Sequence, residues 1–360
     1  MLSTYDLWKQ WADSAFDSTL DFWKRSLGYA RLQTGDPPSV AQTPADVAYA
    51  ENKLRLLHYR PVAKHQHPVP VLIVPSIINR FYVLDLKPGR SLVEYLRNHG
   101  YDVWIIDWGT PGPEDRFVTF DYHIDGYLLN CVREVLDTTG QMKLSLLGYC
   151  IGGVLTTVFT ALHGEYVQNL INQAAPIDFC DDGMLSLWTR KEYFPVDLMI
   201  DIYGNMPDWL LQTSFKWLRP TTDLRNQWQV WERLDHPERL DDFRALNHWV
   251  EDNVSVPGET YRKFVKDCYQ ENLLVQNRMQ INGRTVNLKD IRCALLNIVA
   301  RHDHICPPRS ASALNDLVSS KDVTLHTLHG GHVGAIVGRE ATHDLWPKLT
   351  EWLAARSVIQ

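Results

Sequence analysis

The stretch Gly148-Tyr149-Cys150-Ile151-Gly152-Gly153 constrains this chain more than any other. An apolar run at 143–147 leads into it, and a helix-like run at 154–163 leads out. A nucleophilic side chain set where a strand turns directly into a helix needs strained backbone angles at that residue and no bulk beside it. Such a turn presents the cysteine sulfur at a sheet edge and aims the Ile151 N–H at the place where an oxyanion would form. It also sets the thiol at the positive end of a helix, which favours the thiolate. The alternative is a small buried cysteine in a glycine-rich turn. The strand before and the helix after favour the nucleophile.

The rest of the chain supplies the sheet that such a turn requires. Apolar or β-branched runs predict strands at 54–59, 69–74, 102–107, 170–175, 294–300 and 323–328. Helical spacing at 91–99, 124–138, 310–318 and 342–355 alternates with them, so the expected fold class is α/β, a doubly wound, mostly parallel sheet. The alternation stops after Phe179. From 180 to 287 the chain is helical and aromatic, with Trp188, Trp209, Trp217, Trp228, Trp231 and Trp249. An insertion at that point is expected to act as a helical lid over the site. The core then comprises 46–179 and 288–360. Residues 1–45 form an N-terminal amphipathic helical segment, in which Leu7, Trp8, Trp11, Ala15, Phe16, Leu20, Trp23 and Leu27 recur at helical spacing. Its apolar face either packs on its own domain or serves a partner subunit or a hydrophobic product.

Composition narrows the function classes. A net charge of −7 argues against broad nucleic-acid binding and against an anionic membrane surface. No apolar run is long enough to span a membrane, and no basic start followed by an apolar stretch marks a secretory signal. The six cysteines include no C-x-x-C pair, so free thiols in a cytosolic compartment are expected. No metal and no cofactor are expected. His302, His304 and Cys306 cluster, but without a recognised ligand spacing.

A G-x-nucleophile-x-G turn within this strand order is the elbow of the α/β-hydrolase architecture, with cysteine in place of serine. That architecture takes its nucleophile, acid and histidine in chain order, which here gives Cys150, Asp303 and His332. Asp303 and His332 each follow a predicted strand at its carboxyl end, where open parallel sheets bind ligands. Asp178 also follows a strand and competes for the acid. His329 competes with His332, but the double glycine before His332 suits a catalytic loop. His304 is a candidate accessory to the acid. The oxyanion donors are expected to be the N–H of Ile151 and one from the loop after the 69–74 strand, at Ile78 or Asn79.

Several motifs carry a more specific likeness. The elbow, Asn79-Arg80-Phe81-Tyr82-Val83-Leu84-Asp85-Leu86, Asp107-Trp108-Gly109, Tyr203-Gly204-Asn205-Met206-Pro207, Arg301-His302-Asp303-His304 and Gly330-Gly331-His332 resemble a polyhydroxyalkanoate synthase. The likeness runs from about Ala45 to the C-terminus and is greatest to the short two-subunit synthases, classes III and IV. It implies polymerisation of (R)-3-hydroxyacyl-CoA into polyester with release of coenzyme A. The coenzyme A thioester is then substrate rather than cofactor. It also implies a non-catalytic partner subunit, a homo- or hetero-oligomer, and residence on cytosolic polyester granules. It carries the nucleophile, acid and base onto the same three residues. A thioesterase or polyester hydrolase of the same fold, and a non-enzymatic granule protein, are the alternatives.

Overall fold

Valine, isoleucine and leucine dominate the runs Val71–Val74, Val103–Asp107 and Leu144–Tyr149, and every residue in them is buried. Strands covered on both faces read this way. The computed structural model describes residues 13, 16–17, 19–30, 37–62, 67–181, 183–218 and 237–357. In chain order its strands are β1 (Ala45–Glu51), β2 (Leu54–Tyr59), β3 (Val71–Val74), β4 (Val103–Asp107), β5 (Leu144–Tyr149), β6 (Val167–Gln173), β7 (Gln280–Ile281), β8 (Arg284–Thr285), β9 (Ala294–Ala300) and β10 (Val323–Leu328). Eight of them form one sheet in the order β1-β2-β4-β3-β5-β6-β9-β10. From β4 through β10 neighbours run parallel, and β2 and β1 add an antiparallel edge.

Two strand features were not expected from the sequence. β1 is mostly exposed and lacks the apolar alternation that would mark it. It pairs with β2 across a turn in which Asn52 has φ +53°. The β7–β8 hairpin lies in the stretch where no strand was expected. Helix starts differ as well. The helices Leu129–Thr139 and Trp346–Ala354 are each preceded by a π-helical turn, His123–Leu128 and Ala341–Leu345. Gly140, at φ +68°, ends the first of these helices in the left-handed conformation that glycine reaches without a Cβ clash.

The chain forms two compact units: Ala41–Leu218 with Asp252–Gln360, and Met1–Val40 with Arg219–Glu251. The expected 180–287 insertion is therefore shared between them. In the larger unit its helices are Met184–Trp188, Val196–Tyr203, Asp208–Trp217 and Gly258–Phe264. The smaller unit contributes Pro237–Glu251. It is also helical over residues 19–30, within the expected N-terminal helix. Leu7, Trp8, Trp11, Ala15, Trp228 and Trp231 lie outside the described residues. Among those described, no helix is long and apolar enough to cross a membrane.

Strand register positions the site. Gly148 stands opposite Val74 and Asn172, Asn172 opposite Asn297, and Ala300 opposite Leu328. The loops that leave β3, β5, β9 and β10 therefore open at one edge of the sheet, the carboxyl edge of its parallel strands.

Candidate active site

β5 ends at Tyr149 and the helix Ile151–Leu162 begins two residues later, so Cys150 alone makes the turn. Its backbone takes φ +55°, ψ −127°, a strained conformation for a side-chain-bearing residue, costing about 1–3 kcal/mol. Two hydrogen bonds hold it there. The Cys150 N–H donates to the Gln173 carbonyl at 3.1 Å, and the Gly153 N–H donates to the Cys150 carbonyl at 2.9 Å. The glycines have a steric cause. A Cβ at Gly148 would lie 2.2 Å from Thr156 Oγ1, and one at Gly152 would lie 2.0 Å from the Val74 carbonyl oxygen. The elbow helix is thus pressed against the end of β3, and its first residues are buried.

Asp303 follows β9 and His332 follows β10. The loops are drawn together by backbone hydrogen bonds from Arg301 to Leu328 (2.7 Å) and from His302 to Gly330 (3.1 Å). Asp303 Oδ1 accepts the N–H groups of Ile305 and Cys306, both at 2.8 Å, which fixes the carboxyl plane. Asp303 Oδ2 then faces His332 Nδ1 at 2.7 Å. With Nδ1 so engaged, the ring nitrogen left for the sulfur of Cys150 is Nε2. The His332 side chain is 8 % exposed and Cys150 5 %. Burial by itself would lower the imidazole pKa. The Asp303 carboxylate, the charge on an ionised Cys150 and hydrogen bonds to both raise it instead, to about 10.

That shift has a stability consequence. A histidine raised from about 6.5 contributes stability that is fully present below pH 6.5 and lost as pH rises through about 10. The Tm of the wild type should therefore gain on that of His332→Gln as pH is lowered from 10 to 6.5. Parallel Tm–pH lines for the two proteins over that range would contradict it.

The loop after β3 lies against this elbow. Ser76, Ile77 and Ile78 are buried, and the Trp108 indole N–H donates to the Pro75 carbonyl at 3.0 Å. The Ile78 N–H donates to Ser76 Oγ at a long 3.4 Å. Asn79 forms an isolated antiparallel bridge with Asn253, and its side-chain N–H donates to Asn253 Oδ1 at 2.8 Å. Ile151, the first residue of the elbow helix, has its N–H among the orphan donors of a helix start.

Residues 69–338 match the family described as alpha/beta hydrolase fold, and residues 25–96 match the N-terminus of poly-beta-hydroxybutyrate polymerase (PhaC). A poly(3-hydroxyalkanoate) polymerase subunit PhaC of Allochromatium vinosum is 36 % identical, over 96 % of this chain and 98 % of its own. The subunit of the same name in a Synechocystis species is 37 % identical, over 94 % and 92 %. The chain belongs to the poly(3-hydroxyalkanoate) polymerase subunit PhaC family. Solved structures agree on the fold. The monoacylglycerol lipase of Paleococcus ferrophilus superposes with a TM-score of 0.54, covering 83 % of this chain and 99 % of the lipase at 16 % identity. The enol-lactonase of Burkholderia xenovorans LB400 gives 0.51, covering 86 % and 99 %, also at 16 % identity.

In this member of the polymerase family the rival residues take other hydrogen bonds or are exposed. Asp178 Oδ1 accepts from Asn272 Nδ2 at 2.8 Å and from the Cys180 N–H at 3.0 Å, on the insertion side. His302 and His304 flank Asp303 but are exposed. His329 is exposed, and its backbone N–H donates to the Glu340 carboxylate at 2.9 Å. Burial pushes the thiols of Cys131, Cys268, Cys293 and Cys306 up, Cys293 to about 11, so those cysteines stay protonated. Among the described residues no group of histidine, cysteine, aspartate or glutamate could hold a metal ion.

Two neighbours of the thiol escaped the sequence. Cys306, weighed there only as a metal ligand, lies in the turn that orients Asp303. Tyr269 comes from the insertion. Its phenol is pushed well above the usual range, first by burial and then by the charge that Cys150 carries when ionised, so it lies within electrostatic reach of that sulfur. Neither belongs to a motif. Only the folding back of residues far apart in the chain brings them near Cys150.

Proposed function

We propose that this chain is the catalytic subunit of a polyester synthase, an acyltransferase that joins (R)-3-hydroxyacyl units from coenzyme A thioesters. Carrying this reading is the 2.7 Å approach of His332 Nδ1 to Asp303 Oδ2 beside a strained elbow cysteine, in a chain of the polymerase family. His332 Nε2 takes the proton of Cys150, and the thiolate attacks the acyl carbon of the substrate thioester. The N–H groups of Ile151 and of Ile78 or Asn79 hold the resulting oxyanion. As the C–S bond breaks, the imidazolium returns its proton to the departing coenzyme A sulfur. One thioester has then been exchanged for another.

The hydroxyl of the next monomer, or of the growing chain end, attacks the acyl-cysteine in the second half. His332 and Asp303 remove its proton, and the Cys150 sulfur leaves. Asp303 stabilises the imidazolium and keeps Nδ1 protonated. No cofactor is needed. The enclosed thiol suits transfer to an alcohol, because water reaching the acyl-cysteine would simply hydrolyse it. A non-catalytic partner subunit and a place at the surface of cytosolic polyester granules belong to the same proposal.

The test is incubation of the purified chain, with and without a partner subunit, with 3-hydroxybutyryl-CoA. Thiol release and the product are followed together. Insoluble polyester is the expected product. Free hydroxy acid would instead make the chain a thioesterase, and no turnover with the partner present would leave a non-enzymatic granule protein.

A further inference from the structure

Two stretches singled out in the sequence, Asn79-Arg80-Phe81-Tyr82 and Tyr203-Gly204-Asn205-Met206-Pro207, lie outside the relay of Cys150, His332 and Asp303. Both are tied to one short segment within the insertion, residues 252–258. On the insertion side, Met206 and Val256 exchange backbone hydrogen bonds of 2.9 and 3.0 Å. Asn205 bonds at 3.2 Å to the Gly258 N–H and at 2.7 Å to the Gly112 carbonyl. On the sheet side, one carboxylate spans two residues of the loop after β3. Asp252 Oδ1 accepts from Arg80 Nε at 3.0 Å, and Asp252 Oδ2 accepts from the Tyr82 hydroxyl at 2.8 Å. Asn253 takes the Asn79 side chain at 2.8 Å and its backbone in a bridge. Arg80 Nη1 continues to Thr110 Oγ1, at 2.8 Å, in the loop after β4.

We propose that Asp252 and Asn253 are a latch that holds the oxyanion loop in its working position, with Asp252 and Tyr82 as positioning residues. The loop is short and anchored at both ends. Trp108 holds the Pro75 carbonyl at one end. Arg80, Tyr82 and Asn79 are held at the other by two residues that arrive from the insertion. Between these anchors lie Ser76, Ile77 and Ile78, buried and next to the elbow. A donor stabilises an oxyanion only within about 2.7–3.1 Å of it, so releasing one anchor forfeits part of that stabilisation without touching the thiol or imidazole. Because residues 252–258 are also bonded to Asn205 and Met206, the latch makes oxyanion binding depend on where that part of the insertion sits.

The latch rests on the acyl-transfer reading above, so its test uses two reactions of the same sulfur in the full chain. Single-turnover acylation of Cys150 by 3-hydroxybutyryl-CoA forms an oxyanion, whereas alkylation of Cys150 by iodoacetamide does not. Asp252→Asn should slow acylation by about 10- to 100-fold and Tyr82→Phe by a smaller factor, chiefly in kcat rather than KM. Alkylation should stay within about twofold of wild type in both variants, and Asp252→Glu should recover part of the acylation. Equal losses in the two reactions would mean that Asp252 supports the fold or the relay, and would overturn the latch. So would full-rate acylation by Asp252→Asn. If the wild type is alkylated at Cys150 but never acylated, the acyl-transfer reading fails and the latch with it.

Discussion

Cys150→Ser should release coenzyme A from 3-hydroxybutyryl-CoA at least about 10³-fold more slowly than wild type, with little change in Tm. The hydroxyl fits the elbow, since a G-x-S-x-G turn carries serine in the same strained conformation. What fails is the proton chemistry. Asp303 holds the pKa of the His332 imidazole up, at about 10, which makes it a strong base for the proton of Cys150. A serine hydroxyl holds its proton far more tightly than a thiol does, so His332 would have to remove it during the attack itself. The second half suffers too. An acyl-serine is an ordinary ester, and passing its acyl group to another alcohol requires an alkoxide-like leaving group instead of a thiolate. Thiol release in a stopped-flow experiment, with calorimetry on the same preparation, checks both halves. A serine protein within about tenfold of wild type would contradict thioester exchange.

Asp303→Asn should cost about 10³- to 10⁴-fold in the same assay while leaving the loop intact. The direction follows from the two oxygens of Asp303. Oδ1 accepts two backbone N–H groups at 2.8 Å, so an asparagine must keep its carbonyl oxygen there. Its NH2 group is then forced toward His332 Nδ1, where a carboxylate oxygen now lies at 2.7 Å. A donor facing Nδ1 turns that nitrogen into the acceptor and moves the ring proton to Nε2, toward Cys150. The imidazole can then no longer take the thiol proton, although every atom lies close to its original place. Nitrogen-15 NMR of the His332 ring reads the tautomer directly. A wild-type-like tautomer combined with full activity would remove Asp303 from the mechanism. Loss of activity with an unchanged tautomer would leave it a purely electrostatic role.

Much of the sheet was legible because fully buried parallel strands are near-continuous apolar runs, and β3, β4, β5 and β9 are such runs. β1 was not legible, since an exposed edge strand has no buried face to pattern it. The β7–β8 hairpin was not either, having two residues a side. The elbow was legible for a different reason. Its glycines are required by contacts within a few residues and by the neighbouring strand end, so a local spacing reports them.

From the order of residues alone come the choice of a thiol at the elbow, the alternation that requires a parallel sheet, and two strand ends bearing Asp303 and His332. These are local matters of backbone angle, periodicity and punctuation, and neighbours in the chain decide them. Tertiary structure alone decided which carboxylate oxygen faces the imidazole, how deeply the thiol is enclosed, and that Asp252 grips Arg80 and Tyr82 from 170 residues away or more. Those depend on strand register and on the path of the insertion. No local pattern encodes them, because the atoms that set each distance belong to segments that meet only once the sheet has closed.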